Sequence, residues 1–371
     1  MKKVWLKRTF GVVSMVLALW LFVSCIGWDS RDYLSTRAFY QEPRDSLDVV
    51  FIGASEVSAD VSSVYLYELT GLTGYQISSD SAPASVYLSQ LREILSRQKP
   101  RLIVVEANGF LIGNTDDLYN DAKIRTFLDP TPLSRRKVET MSRLPLQEER
   151  ASYLLPFIKY HSFWYEHPRA LLYYAPSRAL TLARGYSLLK GYITRPVKLD
   201  EQESFPLPDE PLALGGEDVW TFLREFTDYC RENDLPVVFA RFPHELSSKQ
   251  EVKAYRRFLT VKNWLDAEGF TCLDLQRCQT EIGLVREDYY NESHLNISGQ
   301  EKFTAYLAKR FTGEFGLQPK ELSAGQRANW DDCVEFYHRF RRQAEENMDV
   351  DPRFLYEELG LVTRLRSKNE T

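Results

Sequence analysis

The sequence predicts an α/β protein in which a parallel sheet carries helices on both faces. Short continuous apolar runs, which are typical of strands buried on both faces, alternate along the chain with segments of helical periodicity. Such an alternation builds a parallel sheet whose crossover connections are helices. The chain has 371 residues, 44% hydrophobic and 27% charged, so it is long enough to bury a core of ordinary size.

The first half of the sheet is predicted from three strands. The apolar run Val49–Ile52 forms the first strand and ends at Gly53, "YQIS" from Tyr75 forms the second, and "RLIVVEA" from Arg101 forms the third. Between the second and third strands, "PASVYLSQLREILSRQ" has the spacing of a helix, with apolar residues at Val86, Leu88, Leu91 and Leu95.

The alternation returns in the second half of the chain. In order, "EDVWTFLREFTDYCRENDL" predicts a helix, "PVVFARF" a strand, "QEVKAYRRFLTVKNWLDAEG" a helix, "FTCLDL" a strand and "SGQEKFTAYLAKRF" a helix. The segment 110–216 between the halves is rich in proline and aromatic residues, which favours an insertion over further sheet. We therefore assign residues 48–316 to one domain with an insertion at 110–216, and residues 317–371 to a helical carboxyl-terminal extension.

A membrane anchor is expected at the amino terminus. Residues 1–8 are basic, and the following run Phe10–Trp28 has no charge and the length of a bilayer span. Positive residues before a span keep the short end inside, so residues 1–8 are expected in the cytoplasm, 9–28 in the membrane and the body outside, after a linker at 29–47. A cleaved signal peptide, or a lipidated Cys25, is the alternative.

Charge and cysteine usage exclude several classes of protein. A net charge of −5 and a pI near 5.7 provide no basic footprint for nucleic acid. The five cysteines are widely spaced and form no CxxC pair, so neither a zinc site nor a disulfide framework is predicted. We expect no metal and no cofactor.

Two polar stretches follow predicted strands and contain candidate catalytic residues. In "DVVFIGASEVSADVSS", Ser55 comes just after the first strand, where a small exposed hydroxyl is a candidate nucleophile, although such serines more often cap the next helix. In "EDYYNESHLNISGQEKF", His294 lies in a polar, loop-like stretch between the last strand and the last helix. Loops after parallel strands gather at one edge of the sheet, so Ser55 and His294 can meet.

These stretches resemble the first and last sequence blocks of the SGNH or GDSL-like hydrolases. The "GAS" at Ser55 is similar to the first block, and "NESHLNISG" is similar to the last, D-x-x-H followed by L-N-x-x-G. The segments "FYQEPRDSLDVVFIGAS", "QKPRLIVVE" and "LLPFIKYHSFW" are similar to membrane-anchored, extracellular members from Gram-positive gut bacteria. The resemblance covers Ala38–Phe311 and implies a three-layer α/β/α, SGNH-hydrolase-like (flavodoxin-like) sheet.

The resemblance implies a serine esterase or acyl-transfer site. Ser55 would attack an ester carbonyl, and His294 would accept its proton as general base. The oxyanion would be held by the backbone amide of Ser55, by Asn108 in "VVEANGF", and by a second amide at Ser78 or Ser79, where the family tends to have glycine.

The residue that should orient His294 departs from the family pattern, because Asn291 stands where the family has aspartate. An amide can orient an imidazole but cannot stabilise the imidazolium as a carboxylate does. Three hypotheses follow: a Ser-His dyad oriented by Asn291, a triad that uses Asp288 or Glu292, or a site that is weakened or inactive.

The expected function is an extracytoplasmic serine esterase or O-acyltransferase, for instance an O-acetyltransferase, acting on acyl esters of a cell-surface polysaccharide. The resemblance implies a membrane-bound O-acyltransferase as partner. The alternative is a catalytically degenerate partner that binds glycan or docks on the acyltransferase. Tyr289 and Tyr290, with Phe163 and Trp164 in the insertion, either line a sugar-binding surface or belong to the core.

Overall fold

A computed structural model describes residues 5, 8–15, 31–146, 148–160, 183–191, 198–199 and 203–346 of the chain. Residues 8–15 are helical. Within these ranges we find no helix with the length and hydropathy of a membrane span. Residues 16–28 of the expected anchor, together with Cys25, lie outside the described residues.

The main sheet has five parallel strands, which confirms the parallel α/β architecture predicted from the apolar runs. Their order across the sheet is β2-β1-β3-β4-β5. Chain order therefore reverses between β1 and β3, and the carboxyl ends of strands at such a switch point are where ligands bind in open α/β sheets. The strands are β1 Val49–Gly53, β2 Gly74–Ser78, β3 Leu102–Glu106, β4 Val237–Arg241 and β5 Thr271–Asp274.

Helices lie on both faces of the sheet. They are α1 Arg31–Phe39, α2 Ser55–Asp60, α3 Ser63–Thr70, α4 Ala84–Leu95, α5 Asp121–Leu128, α6 Arg135–Arg143, α7 Arg150–Leu154, α8 Phe157–Tyr160, α9 Glu217–Glu232, α10 Lys249–Ala267, α11 Gln279–Ile282, α12 Ile297–Gly313 and α13 Ala324–Glu346. Short 3-10 turns cover Ala107–Phe110, Thr115–Tyr119, Leu275–Cys278 and Arg286–Asp288.

Alternation along each strand divides the core into two layers. On one face, Val50 and Ile52 of β1 pack with apolar side chains of α4, α9 and α10. On the other face, Val49 and Phe51 pack with apolar side chains of α2 and α12. Successive side chains of a strand point to opposite faces, so a strand buried on both faces is apolar throughout.

The extension after the domain packs back on it through α13. Trp330 stacks on Tyr67 with ring centroids 4.8 Å apart, and Tyr337 stacks on Tyr65 at 5.9 Å. These contacts fix the helix against α3. In the insertion, the described residues form helices α5–α8 and the 3-10 turn Thr115–Tyr119 but no strand.

The stretch that carries the candidate histidine is a hairpin, where the sequence suggested an open loop. Strand β6, Tyr289–Asn291, pairs antiparallel with β7, His294–Leu295. The pairing puts Asn291 opposite His294, with an irregularity in register between Tyr289 and Asn291. Strands this short have no periodicity that a sequence pattern can show.

Candidate active site

Ser55 lies at a sharp turn from strand to helix. Strand β1 ends at Gly53, and Ser55 begins α2. A Cβ atom on Gly53 would lie 2.6 Å from Cγ2 of Val57 and 3.0 Å from Cβ of Glu106, so the turn requires glycine for α2 to pack this closely. The Ser55 side chain is consequently half-exposed above the carboxyl edge of the sheet.

Ser55 and His294 are in contact although they are 239 positions apart in sequence. Oγ of Ser55 lies 2.8 Å from Nε2 of His294. The other ring nitrogen, Nδ1, lies 2.8 Å from Oδ1 of Asn291. The Ser293 amide also donates to Oδ1 of Asn291, at 3.0 Å, which identifies that atom as the acceptor. Nδ1 therefore holds the proton and Nε2 accepts from the Ser55 hydroxyl, as a general base requires.

Asp288, one of the two carboxylates considered for His294, has other partners in the structure. Its side chain is 2% exposed and stabilises the junction between the turn Arg286–Asp288 and α12. The Asp288 carboxylate accepts hydrogen bonds from the Val285 amide at 2.8 Å, the Ser298 hydroxyl at 2.8 Å and the Lys302 ammonium at 2.6 Å.

Glu292, the other carboxylate, lies in the tight turn of the hairpin. Its main-chain oxygen accepts a hydrogen bond of 2.7 Å from the Glu245 amide, which ties the hairpin to the loop after β4. Of the three residues considered for orienting His294, the structure therefore places Asn291 at Nδ1.

Asn108, the candidate oxyanion residue, is held by three hydrogen bonds just after β3. Its Oδ1 accepts from Arg241 at 2.9 Å, and its backbone amide donates to Glu106 at 2.8 Å. Its Nδ2 donates to Oε1 of Glu56, the residue that follows Ser55. The contact with Arg241 identifies Oδ1 as the acceptor of the side-chain amide, so the NH₂ group of Asn108 is the end that lies against Glu56.

Ser78, the candidate second amide donor, ends β2 and is 5% exposed. In the register of the sheet it lies opposite Gly53. The structure thus brings Ser55, Ser78 and Asn108 to the same edge, at the ends of three adjacent strands.

Five ionisable side chains, four of them buried and Glu251 partly buried, lie beside these residues and form what we call the buried charge cluster. Arg241 and Glu106 have no exposed surface, while Glu56 and His244 are 2% and 1% exposed. Nδ1 of His244 lies 2.7 Å from Oε2 of Glu251, and an Arg241 nitrogen lies 3.2 Å from the same oxygen. Glu106 and Glu56 complete the cluster, at 3.7 Å from Arg241 and 4.0 Å from His244 respectively.

The carboxyl groups of the cluster differ in the direction in which their pKa is shifted. Burial raises the pKa of Glu56 and that of Glu106. Burial acts in the same direction on Glu251, but His244 and Arg241 outweigh it and lower the Glu251 pKa to about 2. Glu251 is therefore the charged partner of Arg241.

The buried charge cluster is linked both to Ser55 and to His294. Glu56 follows Ser55 directly, and the Ser293 hydroxyl, beside His294, donates to Oε1 of Glu251 at 3.2 Å. This cluster was not predicted from the sequence. One signal was present: Glu106 and Arg241 end the apolar strands β3 and β4, where a fully buried charge requires a partner.

The aromatic residues beside His294 have different environments. Tyr289 is 1% exposed and belongs to the core. Tyr290 is half-buried and stacks on the imidazole of His294, with ring centroids 5.2 Å apart and planes 7° from parallel. Phe163 and Trp164 lie outside the described residues.

The arrangement has the parts of an acyl-transfer site. A hydroxyl meets a correctly oriented base, and amide donors lie at the adjoining strand ends. No cluster of histidine, cysteine and acidic residues able to hold a metal ion occurs in the part of the chain that the structure describes.

Comparisons with known proteins add a distant structural neighbour. No protein-family model matches the chain, and no curated protein matches it. Among solved structures, it is similar to a protein of Bacteroides fragilis NCTC 9343 that carries the provisional name acylhydrolase. The TM-score is 0.36 with 9% identity, over 75% of this chain and 94% of the other. A likeness of this degree carries no functional argument. An argument about function therefore depends on the geometry of the site.

Proposed function

We propose that the chain is a serine esterase or O-acyltransferase of the SGNH type, with Ser55 as nucleophile and His294 as general base. The observation that carries this proposal is the contact of 2.8 Å between Oγ of Ser55 and Nε2 of His294, with Nδ1 held by Asn291. A catalytically degenerate binding partner would have no need for this geometry. The orientation of His294 supports the dyad hypothesis over a triad with Asp288 or Glu292.

The reaction proceeds in two steps. Oγ of Ser55 attacks the ester carbonyl while Nε2 of His294 takes the hydroxyl proton, and the tetrahedral intermediate expels the alcohol, which receives that proton. The product is an acyl group on Ser55. In the second step His294 deprotonates water or a sugar hydroxyl, whose oxygen attacks the carbonyl of the acyl group on Ser55. The bond between that carbonyl and Oγ of Ser55 then breaks, and Oγ takes the proton back from His294. Water as the attacking group gives hydrolysis, and a sugar hydroxyl gives transfer.

The developing oxyanion is held by amides at the edge of the sheet. We assign this role to the backbone amides of Ser55 and Ser78 and to the side chain of Asn108. Nδ2 of Asn108 donates one hydrogen to Glu56 and has a second hydrogen for the oxyanion. Arg241 keeps the NH₂ end of Asn108 in this orientation through its bond to Oδ1.

We propose a cell-surface polysaccharide as the substrate, with acetyl as the first acyl group to test. We also propose a membrane-bound O-acyltransferase as the partner that supplies the acyl group. This part of the proposal rests on the resemblance of "GAS" and "NESHLNISG" to their family blocks and on the expected anchor at 9–28.

The chemical test is to trap the acyl-enzyme. The purified body of the protein, mixed with p-nitrophenyl acetate and quenched in acid, is expected to carry one acetyl group on the peptide that contains Ser55. Chase with an acetyl-free polysaccharide then distinguishes transfer to the polymer from release of acetate. A parent protein that never acquires the label would contradict the esterase proposal and support the degenerate partner.

The location is tested separately. Because Lys2, Lys3, Lys7 and Arg8 precede the charge-free run, protease added to intact protoplasts is expected to digest the body. A cytoplasmic marker protein serves as the control for protoplast integrity. Complete protection of the body would refute the topology, and a shed form beginning near Cys25 would favour processing over an anchor.

A further inference from the structure

Three parts of the His294 imidazole have partners of their own. Its two nitrogens bind Ser55 and Asn291 in the plane of the ring. One face of the ring is covered by Tyr290, whose plane is tilted by only 7° at a centroid distance of 5.2 Å. This offset stack leaves both in-plane hydrogen bonds intact.

The hairpin has an irregularity that makes the stack possible. In a regular strand, neighbouring side chains point to opposite faces, so Tyr290 and Asn291 would not both reach His294. The register of β6 against β7 shifts between Tyr289 and Asn291. A shift of this kind re-aims side chains, which allows two consecutive residues to contact the same imidazole.

The chemistry of the dyad explains why a ring at this face matters. When His294 takes the proton of Ser55, the imidazole becomes a cation. Its Nδ1 partner is the amide oxygen of Asn291, which is neutral. A carboxylate at that position would carry a full negative charge and would stabilise the imidazolium by electrostatic attraction. The π face of an aromatic ring also attracts a cation, through its quadrupole.

We propose that Tyr290 is a positioning residue that stabilises the imidazolium form of His294 by stacking, and so takes over part of the work of the missing carboxylate. The inference rests on the proposed function and deepens it. Removing the ring is expected to slow acylation by roughly 2- to 30-fold, the range that corresponds to a cation–π contact.

The test is a double-mutant cycle on residues 290 and 291. Single-turnover acetylation by p-nitrophenyl acetate is measured against pH for the parent, Tyr290→Leu, Tyr290→Phe, Asn291→Asp and the double variant Tyr290→Leu/Asn291→Asp. We expect Tyr290→Leu to slow acylation and Tyr290→Phe to retain the rate, because the phenyl ring keeps the π face. In the Asn291→Asp background the same Tyr290→Leu change should cost less, because the carboxylate then supplies the charge.

Tyr65→Leu is the matched control, because it removes a stacked aromatic ring away from the site. It is expected to lower stability without slowing acylation. Equal losses from Tyr290→Leu in both backgrounds, or a loss confined to KM, would overturn the inference. The second result would instead make Tyr290 a substrate contact.

A measurement without turnover separates this inference from the proposed function. The protonation midpoint of His294, followed by NMR, is expected to fall by about 0.4 to 1.5 in Tyr290→Leu relative to the parent. An unchanged midpoint overturns the stacking role whether or not the protein acylates. If the His294 midpoint differs between the parent and Tyr290→Leu but the parent is not acylated, the esterase proposal is contradicted and the stacking role of Tyr290 stands.

Discussion

Ser55→Ala is expected to abolish acyl-enzyme formation, with a loss of rate on the order of 10⁴ or more, because no other group supplies the attacking oxygen. The side chain is half-exposed, and its hydrogen bond to His294 lies at the edge of the sheet. The fold should therefore be retained, and the free energy of unfolding should change by less than about 1 kcal/mol.

Intact-mass spectrometry after a pulse of p-nitrophenyl acetate measures the acylation directly. Ser85→Ala is the matched control, since it removes the same atom from a buried serine of α4 whose hydroxyl donates to the Leu118 carbonyl at 2.6 Å. That variant should lose some stability and keep its acylation. An acetyl label that persists on Ser55→Ala would place the nucleophile elsewhere.

Arg241→Met is expected to cost both stability and activity. Arg241 has no exposed surface, and its removal takes the donor from Oδ1 of Asn108 and one of two basic partners, with His244, from the charged Glu251. Breaking a buried ion pair on one side typically costs about 3–5 kcal/mol. The rate should also fall, by about 10²-fold or more, because Asn108 loses the contact that orients its amide towards the oxyanion.

Urea unfolding measures the loss of stability in Arg241→Met. The rate of acylation per folded molecule, measured at low temperature, gives the loss of activity. Arg125→Met provides the comparison, because Arg125 is also buried and binds Asp129 at 3.0 Å in the insertion. The two variants should lose similar stability, but only Arg241→Met should lose acylation per folded molecule. Equal activities in the two variants would show that the buried charge cluster has no role in positioning the site.

The sheet could be predicted from sequence because its strands are continuous apolar runs. Val49–Gly53 and Leu102–Glu106 are buried along their whole length, so local composition alone identifies them. The meeting of Ser55 with His294 also followed from topology, since both come after parallel strands. The arrangement at His294 did not, because β6 and β7 have only three and two residues and no periodicity.

The buried charge cluster could not be predicted because its contacts join distant parts of the chain. Arg241 of β4 lies beside Glu106 of β3 and binds Asn108, which is 133 positions away, and nothing in either neighbourhood identifies the other. A charged residue at the end of an apolar strand shows that a partner is required, but sequence spacing does not say which residue it is. The role of Asn291 was likewise left open by sequence, since Asp288 and Glu292 also lie close to His294 in the chain.

The insertion at 110–216 separates the two halves of the site in time as well as in sequence. A ribosome completes β1 to β3, with Ser55 and Asn108, long before it reaches β4, Arg241 and the hairpin of His294. Until β4 is added, the edge of β3 has no strand to pair with and Ser55 has no base. A partly synthesised chain thus carries a serine without acylating power. The proposed esterase activity therefore requires segments from both sides of the insertion, so it can be acquired only after these distant segments have closed on each other.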